Sequence, residues 1–131
     1  MMDRSATMRA VKSRDTAPER AVRRIARAFA PGYRLNRAGL PGKPDLVYGK
    51  RRLAIFVHGC FWHGHDCKRG AREPSDNDAY WRAKIAGNRA RDAKNLAALR
   101  GLGWRTLVIH ECALKDRARV AAVLGAALAL P

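Results

Sequence analysis

The chain of 131 residues has no long apolar run. Its most apolar stretch, residues 120–130, falls short of the roughly 18–20 residues that a membrane-spanning helix needs. The opening MMDRSATMRA lacks the apolar core of a secretory signal. A cytoplasmic protein with no membrane partner is therefore expected. Cysteine is scarce, with only Cys60, Cys67 and Cys112. An odd count in a chain of this kind argues against a disulfide framework and points to metal ligation, because four histidines accompany the three thiols. Acidic residues are also few: 11 stand against 27 Lys plus Arg, for a net charge of +16. A surface that basic reads as a partner of the phosphate backbone of nucleic acid. Charge alone does not separate an enzyme from a binding module. No repeat, low-complexity segment or interdomain linker divides the chain. One domain over residues 1–131 is expected, with residues 1–14 as a mobile basic arm.

What is present follows a clear order. Asp15 and Thr16 can cap a helix with Pro18 in its first turn, and Val22, Ile25 and Phe29 recur at helical spacing until Pro31 and Gly32 end it. Residues 33–36 read as a short strand, and 37–44, with two Gly and two Pro, as a loop. Residues 45–48 and 52–58 read as two strands joined through Gly49, Lys50 and Arg51 in a β-hairpin. Residues 59–77 are irregular and hold most of the His and Cys. A long helix over 78–100 carries Trp81, Ile85, Leu96 and Leu99 as its apolar stripe. A strand over 106–110 and a helix over 116–128 complete the chain. The order α-β-β-β-α-β-α predicts an α/β fold, a mixed sheet flanked by helices. A helical crossover makes strands 52–58 and 106–110 parallel neighbours, so their C-terminal ends lie together. Cys112 then arrives beside the loop that starts at Gly59.

The loop HGCFWHGHDC concentrates the chemistry. Cys60, Cys67 and Cys112 supply three thiolates, and a histidine completes a tetrahedral set. His65 is one candidate for the fourth place and His63 the other. A thiolate-rich, closed set suits a structural zinc ion, which would pin the loop to the sheet. Asp45, at the start of a strand near those histidines, can hold Mg2+. It can equally be a turn residue after Pro44. Phosphodiester hydrolysis needs a metal for the developing charge and an acid or base for the oxygens, and His58 and His63 are available for the second task. His58 also fits a hydrogen-bonded strand end, and Glu19 a side chain that complements the helix dipole. Phe61 and Trp62, adjacent in a Gly-flanked loop, can wedge between base pairs, with Met8 as a second wedge.

The runs LPGKPDLVYGKRRLAIFVHGCFWHGHDC and YWRAKIAGNRARDAKNLAALRGLGWRTLVIHECALK, with the opening MRAVKSRDTAPE, resemble the very short patch repair endonucleases. The likeness covers roughly residues 7–115. It implies a restriction-endonuclease-like PD-(D/E)xK core with a structural zinc site. It also implies Mg-dependent nicking of one strand of double-stranded DNA, 5′ to the thymine of a T:G mismatch. The family's metal-binding aspartate then falls on Asp45, with the Val57 carbonyl as a second metal ligand. The catalytic histidine falls on His63, the second active-site histidine on His58 and the helix-borne glutamate on Glu19. The zinc ligands fall on Cys60, His65, Cys67 and Cys112, and the intercalating residues on Phe61, Trp62 and Met8. Nicking of a single strand favours a monomer, and mismatch-repair proteins are candidate partners. Val57 stands where threonine is familiar, His110 where tryptophan is common, and residues 69–77 lack the usual Thr-Arg pair. Two rival readings are a non-catalytic zinc-stabilised DNA-binding module and a nicking nuclease of the same fold with another target. The first accounts for the charge and the cysteines, but not for Pro44-Asp45 beside spare histidines.

Overall fold

The computed structural model describes residues 16–35, 39–60 and 78–129. Helix α1 spans Ala17–Phe29. Thr16 is its N-cap, and its hydroxyl oxygen accepts from the Glu19 N–H at 3.4 Å. Pro18 occupies the first turn, where its missing N–H costs nothing. The face made by Ala21, Val22 and Ala26 is buried. Phe29 departs from the expected core stripe: its side chain is 52% exposed. Its ring lies instead over Gly125 of the last helix, where a Cβ would stand 3.1 Å from the ring edge.

Four strands follow in a mixed sheet of order β1-β2-β3-β4: Arg34–Leu35, Leu46–Tyr48, Leu53–His58 and Arg105–His110. β1 with β2 and β2 with β3 are antiparallel, and β3 with β4 is parallel. The hairpin between β2 and β3 turns through residues 49–52, with Arg52 N–H bonded to the Gly49 carbonyl. The crossover from β3 to β4 contains helix α2, Asp78–Gly101. A 3-10 turn, Glu111–Lys115, then leads to helix α3, Arg117–Ala129. The sequence pattern carried no sign of that turn. Asp116 starts α3 by accepting from the Arg119 N–H at 3.1 Å.

β3 is buried on both faces, so its apolar residues alternate between two cores. Leu53 and Ile55 join Leu46, Tyr48 and Ile109 beneath α1 (Val22, Ala26) and α3 (Val120, Leu124, Leu128). Ala54 and Phe56 face the other way, against Leu99 and Leu96 of α2 and against Trp104. A fully buried Leu or Ile contributes about 1.5–3 kcal/mol, so β3 holds the two layers together. The structure therefore has a mixed sheet between helices, as the element order predicts. Trp81 and Leu99, from the expected stripe of α2, are buried. At the end of the sheet where β3 begins, Arg105 donates to the Ala127 carbonyl at 2.9 Å and Arg51 to the Leu128 carbonyl at 3.0 Å. These cations satisfy the last carbonyls of α3 and complement its dipole. Among the described residues no helix is long and apolar enough to cross a membrane.

Candidate active site

Asp45 is placed by the turn that precedes it. Gly42 has φ +77°, and the Asn95 side chain of α2 lies 3.0 Å from where a Cβ would be. Only glycine meets both demands there. Lys43 follows, also left-handed, and its N–H bonds to the Leu40 carbonyl at 3.1 Å. Pro44 is fully buried and delivers the chain to β2. The Asp45 carboxylate then accepts from the Val57 N–H at 2.6 Å, which ties the entrance of β2 to the exit of β3.

Asp45 lies within electrostatic reach of α1. Burial pushes its carboxyl up from 3.8 to about 7; the Val57 N–H pulls it down, the nearby Glu19 carboxylate raises it and Arg23 lowers it. Glu19 is itself 5% exposed, so two acids share one secluded place. Arg23 follows Glu19 by one turn on the same face of α1. Asp45, Glu19 and the Val57 backbone are thus brought together.

His58 lies elsewhere. Side chains alternate along a strand, and Val57 packs with the α1–α3 core while Phe56 packs against α2. His58 shares the Phe56 face, with ring centroids 5.8 Å apart. Its Nδ1 stands 3.9 Å from Oδ2 of Asp92 on α2, and its ring meets His110 edge-to-face at 5.8 Å and 77°. The side chain is buried. Sequence reading passed over Asp92, although its helical phase holds a clue. It falls 11 residues after Trp81 and 7 before Leu99, so a carboxylate occupies the buried stripe of α2.

The parallel register pairs His58 with His110, so the residues just beyond meet as well. The Cys112 N–H donates to Cys60 Sγ at 3.3 Å, and Cys60 is fully buried. This is the juxtaposition predicted from the crossover. Among the described residues no three His, Cys, Asp or Glu side chains converge as a metal set. His65 and Cys67, the other two expected zinc ligands, lie outside the described residues, as do His63, Phe61, Trp62 and Met8.

Asp45 is half-buried and Glu19 buried in a chain of net charge +16. The chain is 50% identical over 109 residues to the Type II nicking enzyme V.XorIIP of Xanthomonas oryzae pv. oryzae, covering 83% of this chain and 79% of that one. It is 40% identical over 117 residues to the DNA mismatch endonuclease Vsr of Escherichia coli, covering 89% and 74%. It is 40% identical over 115 residues to the Type II nicking enzyme V.NmeAIP of Neisseria meningitidis, covering 88% and 81%. Residues 1–69 match the family model described as DNA mismatch endonuclease Vsr. The protein is a DNA endonuclease. It belongs to the DNA mismatch endonuclease Vsr family.

Proposed function

We propose that this endonuclease nicks one strand of duplex DNA on the 5′ side of the thymine in a T:G mismatch. The observation that carries the chemistry is the Asp45 carboxylate, held by the Val57 N–H beside the buried Glu19. Two acids in one secluded place, each raising the cost of the other's charge, suit a bound cation. Asp45 and the Val57 carbonyl would hold Mg2+. A strand residue directs its N–H and C=O to the same neighbour, so that carbonyl points to the Asp45 side. When bound, the ion would neutralise charge on the phosphate and lower the pKa of water. His63 would move the proton of the attacking or leaving oxygen, with Glu19 and His58 as supporting groups. Phe61, Trp62 and Met8 would open the duplex at the mispair, where pairing is already weak.

Zinc has its own support. Two of its four proposed ligands, Cys60 and Cys112, already meet, and a backbone N–H to sulfur favours the thiolate that a zinc ligand must supply. With His65 and Cys67 they would form a closed structural site.

The reading is tested by a nicking assay with Mg2+ on labelled duplexes, comparing T:G with T:A in several sequence contexts. Cleavage of the thymine strand in T:G alone is expected. Equal cutting of both would point to a nicking nuclease with another target, and binding without cutting would point to a DNA-binding module. Asp45→Ala should lower the rate roughly 10³-fold or more while DNA binding persists. Undiminished nicking by that variant would remove Asp45 from the reaction.

A further inference from the structure

We infer that Lys43 is a phosphate-binding residue of the nicking reaction, its ammonium holding the DNA phosphate next to the one cut beside Asp45. The inference rests on the reading above that Asp45 serves the cut.

The chain reverses just before Asp45. Leu40 to Lys43 close a turn, with the Lys43 N–H donating to the Leu40 carbonyl at 3.1 Å and Gly42 at φ +77°. Proline second and a left-handed residue third are the features of a type II turn, so Gly42 completes the reversal. Lys43 is left-handed as well, at φ +48°. A Cβ disfavours that conformation, and a following proline favours an extended one, so lysine directly before Pro44 is unfavourable on both counts. Glycine or asparagine would sit there with less strain. Such strain persists only where the surroundings enforce it. Here Gly42 lies against the Asn95 side chain and Pro44 is fully buried, one anchor on each side. Between them Lys43 is exposed. An unfavourable residue in an enforced conformation beside a cutting site points to use of its side chain. Lys43 stands two positions from Asp45, at most about 7 Å between Cα atoms, so a lysine stem spans the gap. The cation that offsets the Asp45 carboxylate is Arg23 of α1. Among the described residues no carboxylate pairs with the Lys43 ammonium. DNA presents its phosphates in an unbroken row, so a compact, flexible cation this close to the scissile phosphate meets the neighbouring one.

The test uses the full-length protein on a T:G duplex, with affinity measured without Mg2+ and single-turnover nicking measured with it. Lys43→Gly removes the charge and the strain together. It should unfold at a urea midpoint no lower than the parent's. It should nevertheless bind about fivefold more weakly, with a slope of log affinity against log salt flatter by about 1, and cut roughly tenfold more slowly. Lys43→Arg keeps the charge and should recover most of the rate and the slope. Duplexes with one uncharged methylphosphonate, placed on either side of the scissile phosphate in turn, locate the contact. At one of those two positions the substitution should weaken parent binding and leave Lys43→Gly binding unchanged within about twofold. A lower urea midpoint in Lys43→Gly would make the side chain structural, and a parental affinity and slope would make it a solvated bystander; either overturns the proposal. So do losses that multiply at both methylphosphonate positions, because the ammonium would then not be on a phosphate next to the cut. These affinities involve no cleavage and decide on Lys43 by themselves. Undiminished nicking by Asp45→Ala would instead overturn the underlying reading.

Discussion

Asp45 shows how one side chain reports its surroundings. Its carboxyl sits at about 7 in the fold against 3.8 ordinarily, chiefly because burial disfavours the charge. The folded state thus holds a proton that the unfolded chain has already released. Below about pH 4 both states are protonated and the site costs nothing. As pH rises towards 7 the unfolded state gains relative stability, and above 7 the whole cost is present. Asp45→Asn keeps an oxygen for the Val57 N–H and carries no charge. Without added magnesium it should match the parent in urea unfolding near pH 4 and exceed it by up to about 4 kcal/mol at pH 8. Added Mg2+ should then raise the parent at pH 8 and leave the variant unchanged. Identical pH profiles for the two proteins would mean that burial does not govern this carboxyl.

The elements were largely legible in the sequence, because hydrophobic period, caps and turn residues agreed. Thr16 and Pro18 mark the start of α1, the Gly-Lys-Arg turn marks the hairpin, and the crossover rule makes β3 and β4 parallel. Thr16→Ala should lower stability by about 1 kcal/mol, read from urea or thermal unfolding, and an unchanged midpoint would deny the cap its role. Sequence pattern failed where contacts between distant elements decide. Nothing near Phe29 says that a glycine 96 positions later leaves room for its ring. Asp92 looked like one charge in a charged helix until β3 put His58 against it. The opposite case is Cys112, whose meeting with Cys60 followed from topology alone. That meeting is half of the proposed zinc set. Metal analysis of purified protein should find about one zinc per chain, and Cys112→Ser should lose most of it. A metal-free protein that stays folded and active would end the zinc reading.

On the scale of the whole molecule, chemistry and charge are distributed differently. Among the described residues, Asp45, His58, His110, Cys60 and Cys112 gather where β3 ends. The net charge of +16 is spread far more widely. Some of it is structural: Arg51 and Arg105 are spent on the last carbonyls of α3. Along the 24 residues of α2, by contrast, Arg89, Lys94 and Arg100 are exposed. A helix of that length runs about 36 Å, some ten base pairs of duplex, so it can follow a phosphate backbone. Such contacts are blind to sequence, whereas the proposed site at the end of β3 would act on one phosphodiester. The two should therefore separate in experiment. Arg89→Gln with Lys94→Gln should weaken binding to T:G and T:A duplexes alike, and should flatten the slope of log affinity against log salt by about 2. Asp45→Ala should leave that slope within error while it removes cleavage. If the glutamine pair instead weakened T:G binding selectively, α2 would be reading the mispair itself, and the division between a general electrostatic surface and a local cutting site would not hold.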